Sequence, residues 1–169
     1  GHRRIAFFKG NPDNPDTSSR WRAVERGARR LRLEIRPERV FQLEDSRADH
    51  RRSGYDEGLR LGRLVLEERH GATALMAFND FSAIGAIRAF TDAGLRVPQD
   101  LSVVGFDDVD NAEWTTPRLT TVRQPLEDMG ELAARLLLAA VDPHHPAAAD
   151  GQRQLDADLV VRGSTAEAA

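Results

Sequence analysis

Short runs of apolar, β-forming residues alternate along this chain with longer segments whose apolar residues recur at helical spacing. The strand-like runs cover residues 5–8, 40–43, 73–78, 101–106, 119–122 and 155–162. The helical patterns cover residues 18–33, 55–66, 79–93 and 125–141. Alternation of this kind is typical of an open, mostly parallel β-sheet, so we predict an α/β fold with helices on both faces of the sheet, in three layers.

Helix-capping residues set several of these boundaries. Ser18 or Ser19 is the predicted N-cap of the first helix, and Asn79 with Asp80 is the predicted start of the third. Gly94 follows the last apolar residue of the third helix, and Pro125 opens the fourth.

Charge and cysteine content exclude several classes of function. The 169 residues carry 24 Lys and Arg against 27 Asp and Glu, a net charge of −3, which argues against nucleic-acid binding by this chain alone. The sequence has no cysteine, which excludes disulfides, thiolate zinc sites and cysteine nucleophiles. His144 and His145 could ligate a metal, but adjacent residues in a Pro/Ala-rich loop favour a solvated pair, and we predict no metal site.

Polar side chains follow several of the predicted strands. Open α/β sheets bind ligands at the carboxyl ends of their strands. Four kinds of residue occur there or one turn into the following helix: Arg22, Asn79 with Asp80, Asp107 with Asp108, and Gln124. Their forked donors and acceptors suit vicinal hydroxyls or the edge of a heterocycle. Without an accompanying nucleophile or phosphate loop, the set indicates a site that binds without reacting.

All of these residues except Gln124 also have a purely structural interpretation. Asn79, Asp80, Asp107 and Asp108 could cap helices or turns, and Arg22 could lie on a solvated, arginine-rich helix face. A third possibility is an α/β enzyme that uses Asp107 and Asp108 as acid and base.

Ordered motifs spread over the chain resemble one family. They are GHRRIA at 1–6, FNDFSAIGA at 78–86, GLRVPQDLSVVGFDD at 94–108, PRLTTVRQP at 117–125 and LVVRGST at 159–165. Together they resemble the effector-binding domain of the LacI/GalR family of bacterial transcription regulators.

The resemblance implies a periplasmic-binding-protein-like fold with two lobes and the effector between them. Residues 1–124 would form the C-terminal lobe, and 125–141 would be a crossover helix that belongs to an N-terminal lobe outside this chain. Residues 142–154 would be a loop, 155–165 the final strand returning to the C-terminal lobe, and 166–169 a tail.

The resemblance also implies site residues. Arg22, Asn79 and Asp107 match the family's effector-contacting arginine, asparagine and aspartate, Gln124 matches the polar residue at the crossover between lobes, and Ser18 is a further candidate ligand contact. The implied effector is a sugar or related polyol, with no cofactor and no catalytic residue.

Partners follow from the same resemblance. The chain would form a homodimer through Ile84, Ile87, Arg88 and Trp114, although Ile87 could instead be core and Trp114 could pack on its own loop. Operator DNA would be bound only through a headpiece upstream, by a cytoplasmic protein that is neither an enzyme nor membrane-bound. The alternative is a sugar-binding protein of a transport system.

The fourth helix has an apolar side that needs a partner. We predict that this side docks on a second chain or that the helix is displaced from its place in the family. Its predicted members are Leu126, Met129, Ala133, Leu136, Leu137 and Ala140.

Overall fold

The computed structural model describes residues 1–44, 54–68, 71–141 and 153–168. Four parallel strands form the main sheet in the order β2-β1-β3-β4. They are β1 (Ile5–Lys9), β2 (Val40–Gln42), β3 (Ala74–Met76) and β4 (Ser102–Val104). The predicted parallel α/β fold is confirmed, with each strand at the position predicted from its apolar run and somewhat shorter on average.

Helices connect the strands as the alternation predicted. They are α1 (Pro15–Arg30), α2 (Gly54–Glu67), α3 (Asp80–Asp92), α4 (Asn111–Trp114) and α5 (Leu126–Val141). The four-residue α4 and a 3₁₀ turn at Pro37–Arg39 are too short to leave a helical period and were not predicted.

The caps of α1 and α3 differ in how well the sequence indicated them. Asn79 forms the predicted cap of α3, and its Oδ1 accepts a hydrogen bond from Ser82 N at 2.9 Å. The predicted cap of α1 at Ser18 or Ser19 is wrong, because Asn14 Oδ1 accepts from Asp16 N at 2.9 Å and Pro15 starts the helix. The helix thus begins one turn earlier than its apolar spacing suggested.

The last two strands form an antiparallel pair beside β4. Strand β5 (Thr121–Arg123) pairs with β6 (Asp158–Val160), which covers only the middle of the predicted run 155–162. Parallel bridges join Val104 to Thr120 and Asp107 to Arg123, so β5 continues the sheet from β4. The chain leaves this edge of the sheet through β5 and returns to it through β6.

Helices α2 and α3 cover one face of the sheet. Their core includes Leu61, Leu75, Phe90 and Val103, all at most 2% exposed. Alternation along β1 places Phe8 on this face and Phe7 on the other, where the ring of Trp21 on α1 meets Phe7 edge-on at 5.8 Å. The α1 face retains an apolar cavity of about 440 Å³ between the helix and the sheet.

The helix α5 exposes much of its apolar surface in the single chain. Leu126 and Leu137, which we predicted on its docking side, are 64% and 67% exposed. Leu136 of the same predicted side is half-buried, as is Leu132, and Ala139 is buried. Most of the predicted docking side is thus exposed in the single chain, and its docking on a partner stays a prediction.

The loop between α3 and β4 contains an ion pair with a testable pH response. Asp100 Oδ1 lies 2.6 Å from Arg96 Nη2, and Oδ2 accepts from the Arg96 backbone N–H at 2.8 Å. The side-chain hydrogen bond, and next the backbone one, lowers the pKa of Asp100 to about 2. A lowered folded-state pKa stabilises the fold above the unfolded value of roughly 4 and loses that effect as the pH falls toward 2.

We expect a ¹³C NMR titration of the Asp100 carboxyl to give a midpoint near 2. Arg96→Met should raise it toward the ordinary aspartate value of roughly 4 without reaching it, because the backbone N–H of residue 96 still donates to the carboxylate. An unchanged midpoint in the variant would show that Arg96 does not set this pKa.

Candidate functional site

Asp107 is the centre of the polar cluster at the carboxyl ends of the strands. Its Oδ1 accepts a hydrogen bond from Gln124 Nε2 at 2.7 Å. The guanidinium of Arg20 lies 3.8 Å from the same oxygen. The structure therefore brings together Asp107 and Gln124, as predicted, and adds an arginine from α1.

Arg20 is held in place by two aromatic rings. Its guanidinium carbon lies 3.9 Å from the centroid of the Phe106 ring and 4.7 Å from that of Phe78. Arg20 Nη1 also donates to the carbonyl oxygen of Phe78 at 3.0 Å. Stacking and hydrogen bonding fix this cation beside Asp107, where it can pair with both the carboxylate and a ligand oxygen.

The prediction that Arg22 occupies this place is corrected. Arg22 is exposed, and its Nη2 donates to Ser19 Oγ at 3.2 Å on the outer side of α1. Two residues turn a helix by about 200°, so Arg20 and Arg22 point to nearly opposite sides. Ser18 is also exposed on α1, and no contact joins it to Asp107.

One signal in the sequence could have identified Arg20. It precedes Val24 and Ala28 at intervals of four residues, and both line the cavity between α1 and the sheet. The same spacing places Arg20 on the inward stripe of the helix.

Asn79 serves as a cap and still has donors to offer. Its side-chain oxygen is taken by Ser82 N, as described above, while its Nδ2 has no hydrogen-bond acceptor among the described residues. The structural and ligand-binding interpretations of Asn79 are thus compatible, because one amide group can do both.

Burial and neighbouring charges act on the Asp107 carboxyl. Burial raises the pKa of Asp107, Arg20 lowers it, and Asp80 raises it again, with a net shift upward. The Oδ2 atom has no hydrogen-bond donor within the described part of the chain. A ligand hydroxyl could therefore donate to this oxygen without displacing Gln124.

Asp108 and Asp80 have structural roles. The side chain of Asp108 is only 6% exposed and pairs with Arg162 at 2.7 Å and with Arg123 at 2.6 Å. Burial raises the pKa of Asp108, but hydrogen bonds from both arginines outweigh burial, so the pKa lies below its ordinary value. A carboxylate that is paired with two arginines and has a lowered pKa stays ionised, so it is a poor proton donor. The acid/base alternative for Asp107 and Asp108 is therefore without support.

The buried carboxylate of Asp80 binds neighbouring elements. Its Oδ1 accepts from the Thr121 hydroxyl at 2.5 Å and its Oδ2 from Val109 N at 2.9 Å. Asp80 thereby joins the start of α3 to β5 and to the loop that carries Asp107.

The predicted dimer-interface residues differ in accessibility. Ile87 is 5% exposed and packs in the core. This agrees with its alternative interpretation as a core residue and corrects its prediction as an interface residue. Ile84 is partly buried against the same core, and Arg88 is exposed with its Nε 2.8 Å from Asp92. Trp114 is 73% exposed, so it does not pack on its own loop.

The described residues contain neither a metal-binding cluster nor a membrane-spanning helix. No group of three or more His, Asp or Glu side chains there could hold a metal ion. The His144–His145 pair lies outside the described residues. Among residues 1–44, 54–68, 71–141 and 153–168, no helix is long and apolar enough to cross a membrane.

A parallel sheet whose carboxyl edge carries a partly buried carboxylate, a stacked arginine and two amides is an arrangement typical of ligand-binding α/β lobes. The family model for periplasmic binding protein-like domains matches residues 1–165. The chain belongs to this family, in the branch found in LacI/GalR-type regulators, as the motifs at 78–86 and 94–108 indicated.

Two curated relatives illustrate the match. The HTH-type transcriptional repressor PurR of Serratia proteamaculans is 35% identical over 82% of this chain and 38% of its own length. The HTH-type transcriptional repressor CytR of Escherichia coli is 31% identical over 98% of this chain and 46% of its own length. The chain thus spans less than half of these curated relatives.

A solved structure gives the same result for the fold. It is a sugar-binding transcriptional regulator of the LacI family from Escherichia coli, complexed with phosphate. The two chains are 26% identical, with a TM-score of 0.81 over 97% of this chain and 55% of that one.

Proposed function

We propose that this chain is the effector-sensing lobe of a DNA-binding transcriptional regulator, and that the effector binds at Asp107, Gln124, Arg20 and Asn79. The observation that carries this proposal is the hydrogen bond between Asp107 and Gln124. It joins the carboxyl edge of the sheet to the residue from which the chain enters α5. A ligand at Asp107 therefore lies where the chain leaves this lobe.

The chemistry of the site favours a sugar or polyol. Asp107 offers an acceptor, Arg20 and the Asn79 Nδ2 offer donors, and each suits a hydroxyl group. One structural neighbour, the sugar-binding transcriptional regulator of the LacI family, supports the same class of ligand. Arg22 and Ser18, on the outer side of α1 and exposed, are not part of the proposed site.

The proposed mechanism is allosteric. The exposed apolar side of α5 would be covered by an N-terminal lobe, and the effector would lie in the cleft between the two lobes. Binding would favour one relative orientation of the lobes and so change the affinity for operator DNA.

DNA binding itself would belong to a headpiece upstream of this chain, since the net charge of −3 makes these residues a poor surface for phosphates. The HTH-type repressors similar to this chain support this division. The protein would act in the cytoplasm and catalyse no reaction.

The proposal is tested with the full-length protein. A panel of sugars, polyols and nucleosides is screened by thermal shift, and each hit is added to an operator-binding titration. We expect a sugar or polyol to raise the melting temperature and to change operator affinity by about fivefold or more, a typical allosteric coupling. Binding without any change in DNA affinity would favour the transport-protein alternative, and a nucleoside hit would overturn the ligand class.

We further propose that the regulator is a homodimer that uses Ile84, Arg88 and Trp114. Trp114 is the largest exposed side chain of the three, and burying such a ring is a common source of interface energy. Trp114→Glu is expected to weaken dimerisation of the full-length protein by at least tenfold, measured by analytical ultracentrifugation. Arg22→Glu, on a different exposed helix face, is the control and should leave the dimer intact.

A further inference from the structure

The loop that carries Asp107 has an unusual backbone. Asp107 has a φ of 123° and Asp108 a φ of 58°, so two successive residues that are not glycine have left-handed backbone angles. Residues other than glycine disfavour these backbone angles, so the surrounding contacts must hold the loop in this conformation. The direction in which Asp107 points depends on those contacts.

Arg162 makes the most buried of these contacts. Its side chain is 9% exposed, and its Nη1 lies 2.7 Å from Asp108 Oδ1 and donates to the Leu119 carbonyl oxygen at 2.9 Å. Its Nη2 donates to Glu113 Oε1 at 3.0 Å. Arg123 pairs with the other oxygen of Asp108 but is 54% exposed, which weakens its contribution through solvent screening.

The position of Arg162 in the chain connects the Asp108 contact to the segment that returns from α5. Arg162 lies two residues after β6, on the segment that returns from α5. Gln124, the partner of Asp107, lies on the outgoing segment. Asp107 is thus attached to the outgoing segment through Gln124, whereas Asp108 is attached to the returning segment through Arg162 and to the outgoing one through the more exposed Arg123.

We propose that Arg162 is a positioning residue for effector binding, which holds Asp107 toward the ligand through the ion pair between Arg162 and Asp108. The inference rests on the proposed function for the identity of the ligand site. The contact itself can be tested without any ligand, so a failure of the sugar screen does not affect the result.

The first test is Arg162→Met in the full-length protein, followed by hydrogen exchange with mass spectrometry. The amides of Asp107 and Val109 donate to Val122 O and to Asp80 Oδ2, both at 2.9 Å. We expect peptides covering residues 105–110 to exchange at least tenfold faster, because the buried Asp108 carboxylate loses its buried partner. Peptides from α3 should exchange at the wild-type rate.

The second readout is the carboxyl of Asp107, followed by ¹³C NMR. Burial is the main cause that raises the pKa of Asp107. If the loop opens in Arg162→Met, the midpoint should move down toward its ordinary value. A loss of global stability alone would leave the midpoint of the folded protein unchanged.

A second substitution, at Asp108, distinguishes an effect of Arg162 that acts through Asp108 from a general effect on the fold. In the double variant Arg162→Met, Asp108→Asn, no buried charge is left unpaired, and asparagine tolerates a positive φ better than most residues. We expect exchange of residues 105–110 to return to within about threefold of wild type and the Asp107 midpoint to recover.

Two outcomes would overturn the proposal. One is an Arg162→Met protein with unchanged exchange and an unchanged Asp107 midpoint. The other is a double variant as altered as the single one, which would assign the effect to Leu119 and Glu113. If Arg162→Met does not fold, Arg162→Lys gives the same test with a smaller effect, because an ammonium cannot bridge all three partners. Arg96→Met, which removes the distant pair with Asp100, is the control and should change neither readout.

Discussion

Asp107→Ala is expected to weaken effector binding by the full-length protein about 100-fold or more. The carboxylate would accept hydrogen bonds from ligand hydroxyls, and each charge-assisted bond contributes roughly 1.5–3 kcal/mol. Two such bonds correspond to a factor of at least 100 in the dissociation constant. The alanine would also remove the hydrogen-bond acceptor of Gln124 Nε2 and the carboxylate that pairs with the Arg20 guanidinium. Isothermal titration calorimetry with a hit from the sugar screen measures the loss.

Two arginines on α1 provide a matched pair of controls for this result. Arg20→Ala removes the stacked cation and should weaken binding about tenfold, whereas Arg22→Ala removes an exposed side chain and should have no effect. The opposite ranking would restore the prediction made from family resemblance. An Asp107→Ala protein that binds as tightly as wild type would show that the site lies elsewhere.

The sequence was most informative where short-range patterns decide the structure. The apolar runs and the polar or turn-forming residues between them located each strand of the main sheet, because a strand covered on both faces has an apolar run bounded by polar residues. Asp107 and Asn79 could be selected because they stand directly after such runs. Asn79 could also be identified as a cap, since capping depends on three neighbouring residues.

The sequence was less informative where the outcome depends on the phase of a helix. The choice between Arg20 and Arg22 depends on which side of α1 faces the sheet. The first turn of α1 is polar, so the apolar spacing did not indicate that the helix is capped by Asn14.

Long-range pairing could not be predicted at all. Asp108 could be interpreted as a cap because nothing near it in the sequence indicates that Arg162 is its partner. Such a contact follows from the return of the chain through β6, and it exists only once the fold is complete.

Gly58→Ala and Gly85→Ala are expected to be the most destabilising small substitutions in the described part of the chain. The two glycines allow α2 and α3 to approach closely. A Cβ at position 58 would lie 2.1 Å from the carbonyl oxygen of Ser82, and one at position 85 would lie 2.1 Å from that of Tyr55. Both obstacles are backbone atoms of a packed helix, so no side chain can turn away to make room.

Relief therefore requires the two helices to separate, which opens the core around Leu61 and Phe90. Overpacking typically costs about 1–3 kcal/mol, and we place these two variants at or above the upper end of that range because the strained atoms are backbone. For a domain of this size, a loss of about 3 kcal/mol corresponds to a fall of roughly 10 °C in melting temperature. Thermal unfolding of the full-length protein measures it.

Gly27→Ala is the matched control, since no atom lies within 4 Å of a Cβ at this position. Gly27 lies inside α1, where alanine is favoured by roughly 0.5–1 kcal/mol. We expect this variant to melt at or above the wild-type temperature. Equal melting temperatures for Gly58→Ala and Gly27→Ala would mean that α2 and α3 do not pack through their backbones, and the core on that face of the sheet would then have to be arranged differently.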